Sequence, residues 1–152
     1  MKFIYKSFSE LNTIELYHLI ELRTNVFVVE QDCPYPELDN KDQKAIHVWA
    51  KDNEVVVAVA RILPPGISYP NDWSFGRIAT HADYRGKSIG RALMQSMMEY
   101  MKSHHPNSSI RISAQAHLDE FYNSFGFEPT GKSYLEDGIP HIEMLFDGIL
   151  TD

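Results

Sequence analysis

The sequence predicts an α/β fold: one domain over residues 1–152, with a mixed, mostly antiparallel central sheet of about six to seven strands flanked by helices. Three observations predict it. Short β-rich runs and helical periodicities follow one another in the order β, α, loop, β, β, β, α, β, α, β, β. Tight polar turns, Lys51-Asp52-Asn53 and Asp137-Gly138, join two pairs of those runs as hairpins. Only the unit from Trp73 to Ala114 has crossover length, so its two strands are expected to lie parallel.

The elements follow in order. Lys2 to Phe8 alternates apolar and polar residues, as a half-buried strand does. Asn12 with Glu15 three residues on is a reciprocal helix cap, and apolar recurrence at Ile14, Tyr17 and Ile20 carries that helix from about Thr13 to about Val28. Glu30 to Lys44, with its prolines and carboxylates, reads as a loop or a broken short helix. Ala45–Ala50 and Glu54–Leu63 form the first hairpin, and Trp73–Thr80 the next strand. Ile89, Leu93, Met97 and Met101 recur every four residues, marking an amphipathic helix over Ser88–Lys102. After the strand Ile110–Ala114 comes a short helix, Leu118–Phe125, closed by Gly126, and then the hairpin Phe127–Tyr134 with Ile139–Phe146.

Bulk properties narrow the function. A net charge of -7 offers no basic field for nucleic acid. Cys33 stands alone, so no internal disulfide forms. The first residues are too soon interrupted by charge for a signal peptide, and the longest apolar run, Val55–Ala60, falls far short of the ~20 residues of a membrane span. A cytoplasmic protein without membrane or nucleic-acid partners is expected.

Sequence turns into chemistry at Arg85-Gly86-Lys87-Ser88-Ile89-Gly90. A strand ends just before this segment and a helix begins within it, so unpaired N–H groups and the positive end of the helix dipole meet there. Gly86 and Gly90 keep side chains off those amides, while Arg85 and Lys87 add positive charge. Such a site suits a pyrophosphate. Gly86-Lys87-Ser88 looks like the end of a triphosphate loop, but that motif needs a glycine where His81 stands. The glycine spacing also fails the dinucleotide fingerprint.

The segment resembles the acyl-CoA signature of the GNAT superfamily of N-acetyltransferases, with Ser88 at the place of the usual middle glycine. Tyr122 followed by Phe125-Gly126-Phe127 is similar to the later motif of that superfamily. Val26-Phe27-Val28-Val29-Glu30-Gln31, Cys33-Pro34-Tyr35 and Asp137-Gly138-Ile139-Pro140-His141 resemble the ElaA-like acyltransferases. The resemblance spans nearly the whole chain. It implies acetyl-CoA as co-substrate, a primary amine as acceptor, a splayed sheet that admits the pantetheine arm, and homodimers such as the superfamily commonly forms. It also implies a coenzyme site built from Ile78, Ala79 and Thr80, the residues Arg85 to Gly90, and Tyr122. The alternative is a GNAT-like module that binds acyl-CoA without turnover.

In the implied reaction a neutral amine attacks the thioester. A backbone N–H of Gly76-Arg77-Ile78-Ala79 would hold the oxyanion, and Tyr122 would stabilise or protonate the leaving thiolate. An amine of pKa ~10.4 must first lose a proton. His117 is a candidate for that role, as are His47 and His141, although a lone histidine is more often a capping or hydrogen-bonded structural residue. Glu30, Glu37, Asp39 and Asp42 are candidates to hold a cationic acceptor or simply form a solvated loop. Arg77 stands out in a strand fit for burial, as a ligand contact or an ion-pair partner. The histidine spacing suggests no metal site.

Overall fold

The computed structural model describes residues 1–148; residues 149–152 of the expected domain lie outside the described residues. Among the described residues seven strands form two sheets. β1 (Ile4–Ser7), β2 (Ile46–Asp52), β3 (Val55–Leu63) and β4 (Ser74–Thr80) make one sheet in that order, with every neighbouring pair antiparallel. β5 (Ile110–Gln115), β7 (Ile139–Phe146) and β6 (Glu128–Glu136) make the other, again antiparallel. The turn Asp137-Gly138 has positive φ at both residues, so Glu136 pairs with Ile139 as a two-residue hairpin requires.

Three α-helices cover the sheets: α1 (Thr13–Thr24), α2 (Ile89–His104) and α3 (Asp119–Asn123). The cap expected at Asn12 is present in both directions, with Asn12 Oδ1 accepting from Glu15 N at 2.7 Å and Asn12 N donating to Glu15 Oε1 at 2.9 Å. The helical path does run on past Thr24, but over Asn25–Glu30 it widens into a π-helical turn. Ser88 caps α2 instead of belonging to it.

β3 is buried on both faces. Leu19, Leu22 and Val26 pack with Val56, Val59 and Ala79 on the α1 side. On the other side Leu93, Met94, Met97 and Met101 of α2 pack with Val48, Val57 and Ile62, and the same cluster runs on to Ile110, Ile112 and Met144 of the second sheet. One core thus holds both sheets.

The two sheets meet at a single parallel bridge, Trp73 with Ile110. Trp73 N donates to Ser109 O at 3.0 Å, and Arg111 N donates to Trp73 O at 2.8 Å. β4 and β5 are therefore parallel as expected, but they are joined only at their N-terminal ends. Beyond that point they part.

Candidate active site

The gap between β4 and β5 is a cleft. Gly76, Arg77 and Ile78 line it from β4, Ser113 and Gln115 from β5, and Phe27 and Glu37 close it from the segment after α1. A bulge in β4 shapes the first wall. Val59 pairs with Ala79, but Arg61 pairs with Gly76, so β4 carries one more residue than β3 across that interval. Arg77 sits there at φ +50°, a left-handed conformation that costs about 1–2 kcal/mol outside glycine. A bulge takes a residue's backbone out of the ladder.

Next to the C-terminal end of β4 a second depression is lined by Thr80, Tyr84, Arg85, Gly86, Ser88 and Gly90. Ser88 has φ +61° and no side-chain cap to the helix, so the first N–H groups of α2 keep their donors free of a Ser88 acceptor. A Cβ on Gly86 would meet nothing within 4 Å, and one on Gly90 only Thr80 Oγ1 at 3.8 Å. Packing within the protein therefore does not demand glycine at Gly90; the space above the amides is open. These residues fit a pyrophosphate. Because Ser88 occupies a left-handed position, Ser88→Gly is expected to raise stability by about 0.5–1 kcal/mol, the relief of strain exceeding the added chain entropy. The shift in urea midpoint checks this.

Arg85 lines that depression, but its guanidinium is committed to partners within the protein. Its Nε and Nη2 donate to Thr80 O at 3.2 and 3.0 Å, and its Nη1 donates to Glu30 at 2.6 Å. Glu30 is thereby engaged at the end of the π-helical turn, away from the cleft wall. Lys87 Nζ stands 5.2 Å from the centre of the Tyr84 ring. Ala79 turns its side chain into the core beside α1, whereas Ile78 and Thr80 line the cleft and the depression.

Tyr122 lies in the cleft wall at 8% exposure. Gly126, at φ +96°, ends the α3 segment: Gly126 N donates to Asn123 O at 2.9 Å and Phe127 N to Tyr122 O at 3.3 Å. That closure seats the ring edge-on to Phe121 and Phe127. Among the described residues no hydrogen bond engages the hydroxyl, and burial pushes its pKa up to about 12.

The acidic loop after α1 is largely spent on arginines. Arg23 donates to Glu37 at 2.8 Å and to both oxygens of Asp42 at 2.8 and 3.2 Å. Arg61 bonds Asp39 and also Asp42, the latter at 2.9 Å. Burial opposes the charge of Asp39 and Asp42, but the hydrogen bonds and charges of Arg61 and Arg23 outweigh it and hold both well below the usual carboxylate range. Of the four acids only Glu37 lines the cleft. His47 is buried with Nε2 2.9 Å from Asp42 O, and burial lowers its pKa. His117 is exposed and is not part of the cleft lining.

His141 is part of that lining, opposite β4. Its Nδ1 lies 2.7 Å from Ile139 O and its Nε2 3.3 Å from Glu136 Oε2. Ser113 Oγ donates to Glu136 Oε1 at 3.3 Å and accepts from Tyr134 at 2.6 Å. Sequence reasoning missed Glu136, Ser113 and Tyr134. A two-residue turn at Asp137-Gly138 sets Tyr134 opposite His141 by simple counting, and that signal was available. Among the described residues no group of three or more His, Cys, Asp or Glu is placed to hold a metal, and no helix is long and apolar enough to cross a membrane.

Known proteins agree with this architecture. The acetyltransferase (GNAT) domain family matches residues 17–147. The Escherichia coli protein ElaA is 42% identical over 138 residues, covering 90% of each chain, and its crystal structure superposes with a TM-score of 0.88 over 95% of this chain and 99% of that one. An acyl-CoA N-acyltransferase from Pseudomonas aeruginosa is 35% identical, with a TM-score of 0.88 over 95% of this chain and 99% of that one. At 16% identity an aminoglycoside 6'-N-acetyltransferase complexed with coenzyme A shares the fold alone, with a TM-score of 0.68 over 98% of this chain and 99% of that one. With the split sheet, the amide-rich loop and these matches together, the chain belongs to the GNAT acetyltransferase family, among its ElaA-like members.

Proposed function

We propose that this chain is an acetyl-CoA-dependent N-acetyltransferase that moves the acetyl group directly onto a primary amine. The observation that carries the reading is the parting of β4 from β5, with the open amides of Gly86–Gly90 beside its outer end and Tyr122 in its wall. A coenzyme A-complexed neighbour with the same fold and an acyl-CoA N-acyltransferase at 35% identity support it.

When bound, acetyl-CoA supplies an activated acyl group; the chain's residues do the rest. The helix N-terminus and the backbone of Gly86, Ser88 and Gly90 hold the pyrophosphate, with Lys87 close by. Glu136, steadied by Ser113 and His141, takes the acceptor's ammonium and the first proton it loses, passing that proton to solvent. His141 replaces His117 as the neighbouring histidine because it alone of the two lines the cleft. The freed amine bonds to the acyl carbon, and a backbone N–H of the Arg77–Ile78 bulge steadies the charge on the carbonyl oxygen. The C–S bond breaks, the second amine proton leaves to solvent, and the thiolate departs. A phenol with a pKa of about 12 does not hand its proton to a thiolate whose acid ionises at ~8.5, so Tyr122 acts by donating a hydrogen bond.

The test combines calorimetric titration with acetyl-CoA and thiol release across an amine panel. Ser88→Asp keeps a residue compatible with the left-handed cap and favourable to the helix dipole, but sets a negative charge against the pyrophosphate. Acetyl-CoA affinity is expected to fall about tenfold or more with no loss of melting temperature. Unaltered affinity would move the coenzyme away from this loop. Tight binding with no thiol release for any amine would turn the reading toward a sensing module.

A further inference from the structure

We propose that the acceptor is a small amine that also carries a carboxylate, the class to which α-amino acids belong, with its carboxylate on Arg77 and its ammonium on Glu136. This rests on the acyltransferase reading above and concerns the acceptor half of the same cleft.

Arg77 differs from the other arginines near the cleft and core. Arg23 and Arg61 each bond two carboxylates, Arg85 bonds Glu30 and a carbonyl, and Arg111 bonds Asp72 and Glu143. Arg77 has one ion pair, Nε to Glu37 Oε2 at 3.0 Å, and the geometry there is too oblique for a hydrogen bond. Among the described residues its two Nη groups have no partner. The side chain is 26% exposed while Nε is buried, so the accessible part of the guanidinium is its outer edge. The Phe27 ring lies 5.1 Å from the guanidinium carbon and packs against that side chain. Glu37 cannot turn to cover the open donors, because Arg23 holds it at 2.8 Å. The fold thus accepts a left-handed residue in a strand to present a planar pair of donors to the cleft, the arrangement that a carboxylate satisfies with two parallel bonds.

Glu136 supplies the other half. Its side chain is 48% exposed at the opposite wall, and Ser113 and His141 fix its two oxygens. A diamine would set a second cation against Arg77. A zwitterion pairs both ends.

The experiment uses the full chain saturated with coenzyme A, for calorimetry, or with acetyl-CoA, for thiol release. Matched pairs are compared: leucine with 3-methylbutylamine, phenylalanine with 2-phenylethylamine, lysine with cadaverine. The carboxylate-bearing member is expected to bind and react about tenfold or more better. Arg77→Met should abolish that preference, lowering kcat/KM for the amino acid about tenfold more than for its decarboxylated partner, and Arg77→Lys should restore part of it. Thermal melts of both variants exclude unfolding as the cause. Equal or better performance of the decarboxylated amines, equal losses for both members in Arg77→Met, or no binding by any pair would overturn the proposal. A preference seen in binding without any thiol release would keep the Arg77 subsite and reject catalysis; thiol release without a preference would do the reverse.

Discussion

Replacing Tyr122 with Phe is expected to lower kcat for acetyl transfer about 10- to 100-fold and to leave KM for acetyl-CoA unchanged, the cost of one hydrogen bond to a charged leaving group. The substitution is clean because the ring and the hydroxyl have separate jobs. The ring packs edge-on against Phe121 and Phe127, and Phe keeps those contacts. The hydroxyl bonds nothing among the described residues, and Tyr122 lines the cleft. Its pKa, pushed up to about 12 by burial, keeps it a neutral donor throughout the ordinary working range, so the loss should be the same across pH 6 to 9. Steady-state thiol release for both proteins makes the comparison. An unaltered kcat would reduce Tyr122 to core packing.

Arg23→Met is expected to cost about 3–5 kcal/mol of folding stability, read from urea unfolding. Arg23 is buried, and its loss leaves the buried Glu37 with only its ion pair to Arg77 and removes two of the hydrogen bonds of the buried Asp42. The same cluster sets an acid limit. His47 is kept neutral by burial, so its folded pKa lies below the unfolded one. Its contribution is complete above about pH 6.5 and is lost as pH falls from there. Asp39 and Asp42 have depressed folded values too, so their contribution is complete above about pH 4 and drains away below it. The urea midpoint of the native chain should therefore drop in two stages on acidification. A midpoint that stayed level down to pH 4 would remove His47 from the account.

Much of the scaffold was legible because local chemistry specified it. The Asn12–Glu15 cap, the four-residue recurrence in α2, the glycine stop at Gly126 and the Asp137-Gly138 turn all act over a few residues, and all stand where the sequence put them. The π-helical turn was not legible. Val26, Val28 and Val29 continue an apolar run whether the register widens or not. The parallel relation of β4 and β5 followed from crossover length, but neither its restriction to one bridge nor the bulge at Arg77 is a feature that composition announces.

The site divides in the same way. The amide loop could be found because its features are consecutive in the chain. The acids could be suspected but not assigned, since Arg23 finds its partners 14 and 19 residues away and Arg85 finds Glu30 across 55. Arg77 drew notice as a charge in an apolar strand, and the structure adds its unfilled donors. Ser88 stood out at the place of a usual glycine, and its positive φ gives that place its physical meaning.

The single Trp73–Ile110 bridge has one more implication. In a continuous sheet β4 and β5 would satisfy each other along their whole length. Here their facing edges lie inside the molecule, screened from the edge-to-edge association that endangers an exposed border strand, yet still short of a neighbour. An extended guest that bears amides can take the missing place between them and be held by main-chain atoms alone. The pantetheine arm of coenzyme A has two such amides, so under the proposed function the sheet is a frame one strand short and the co-substrate would be its temporary strand.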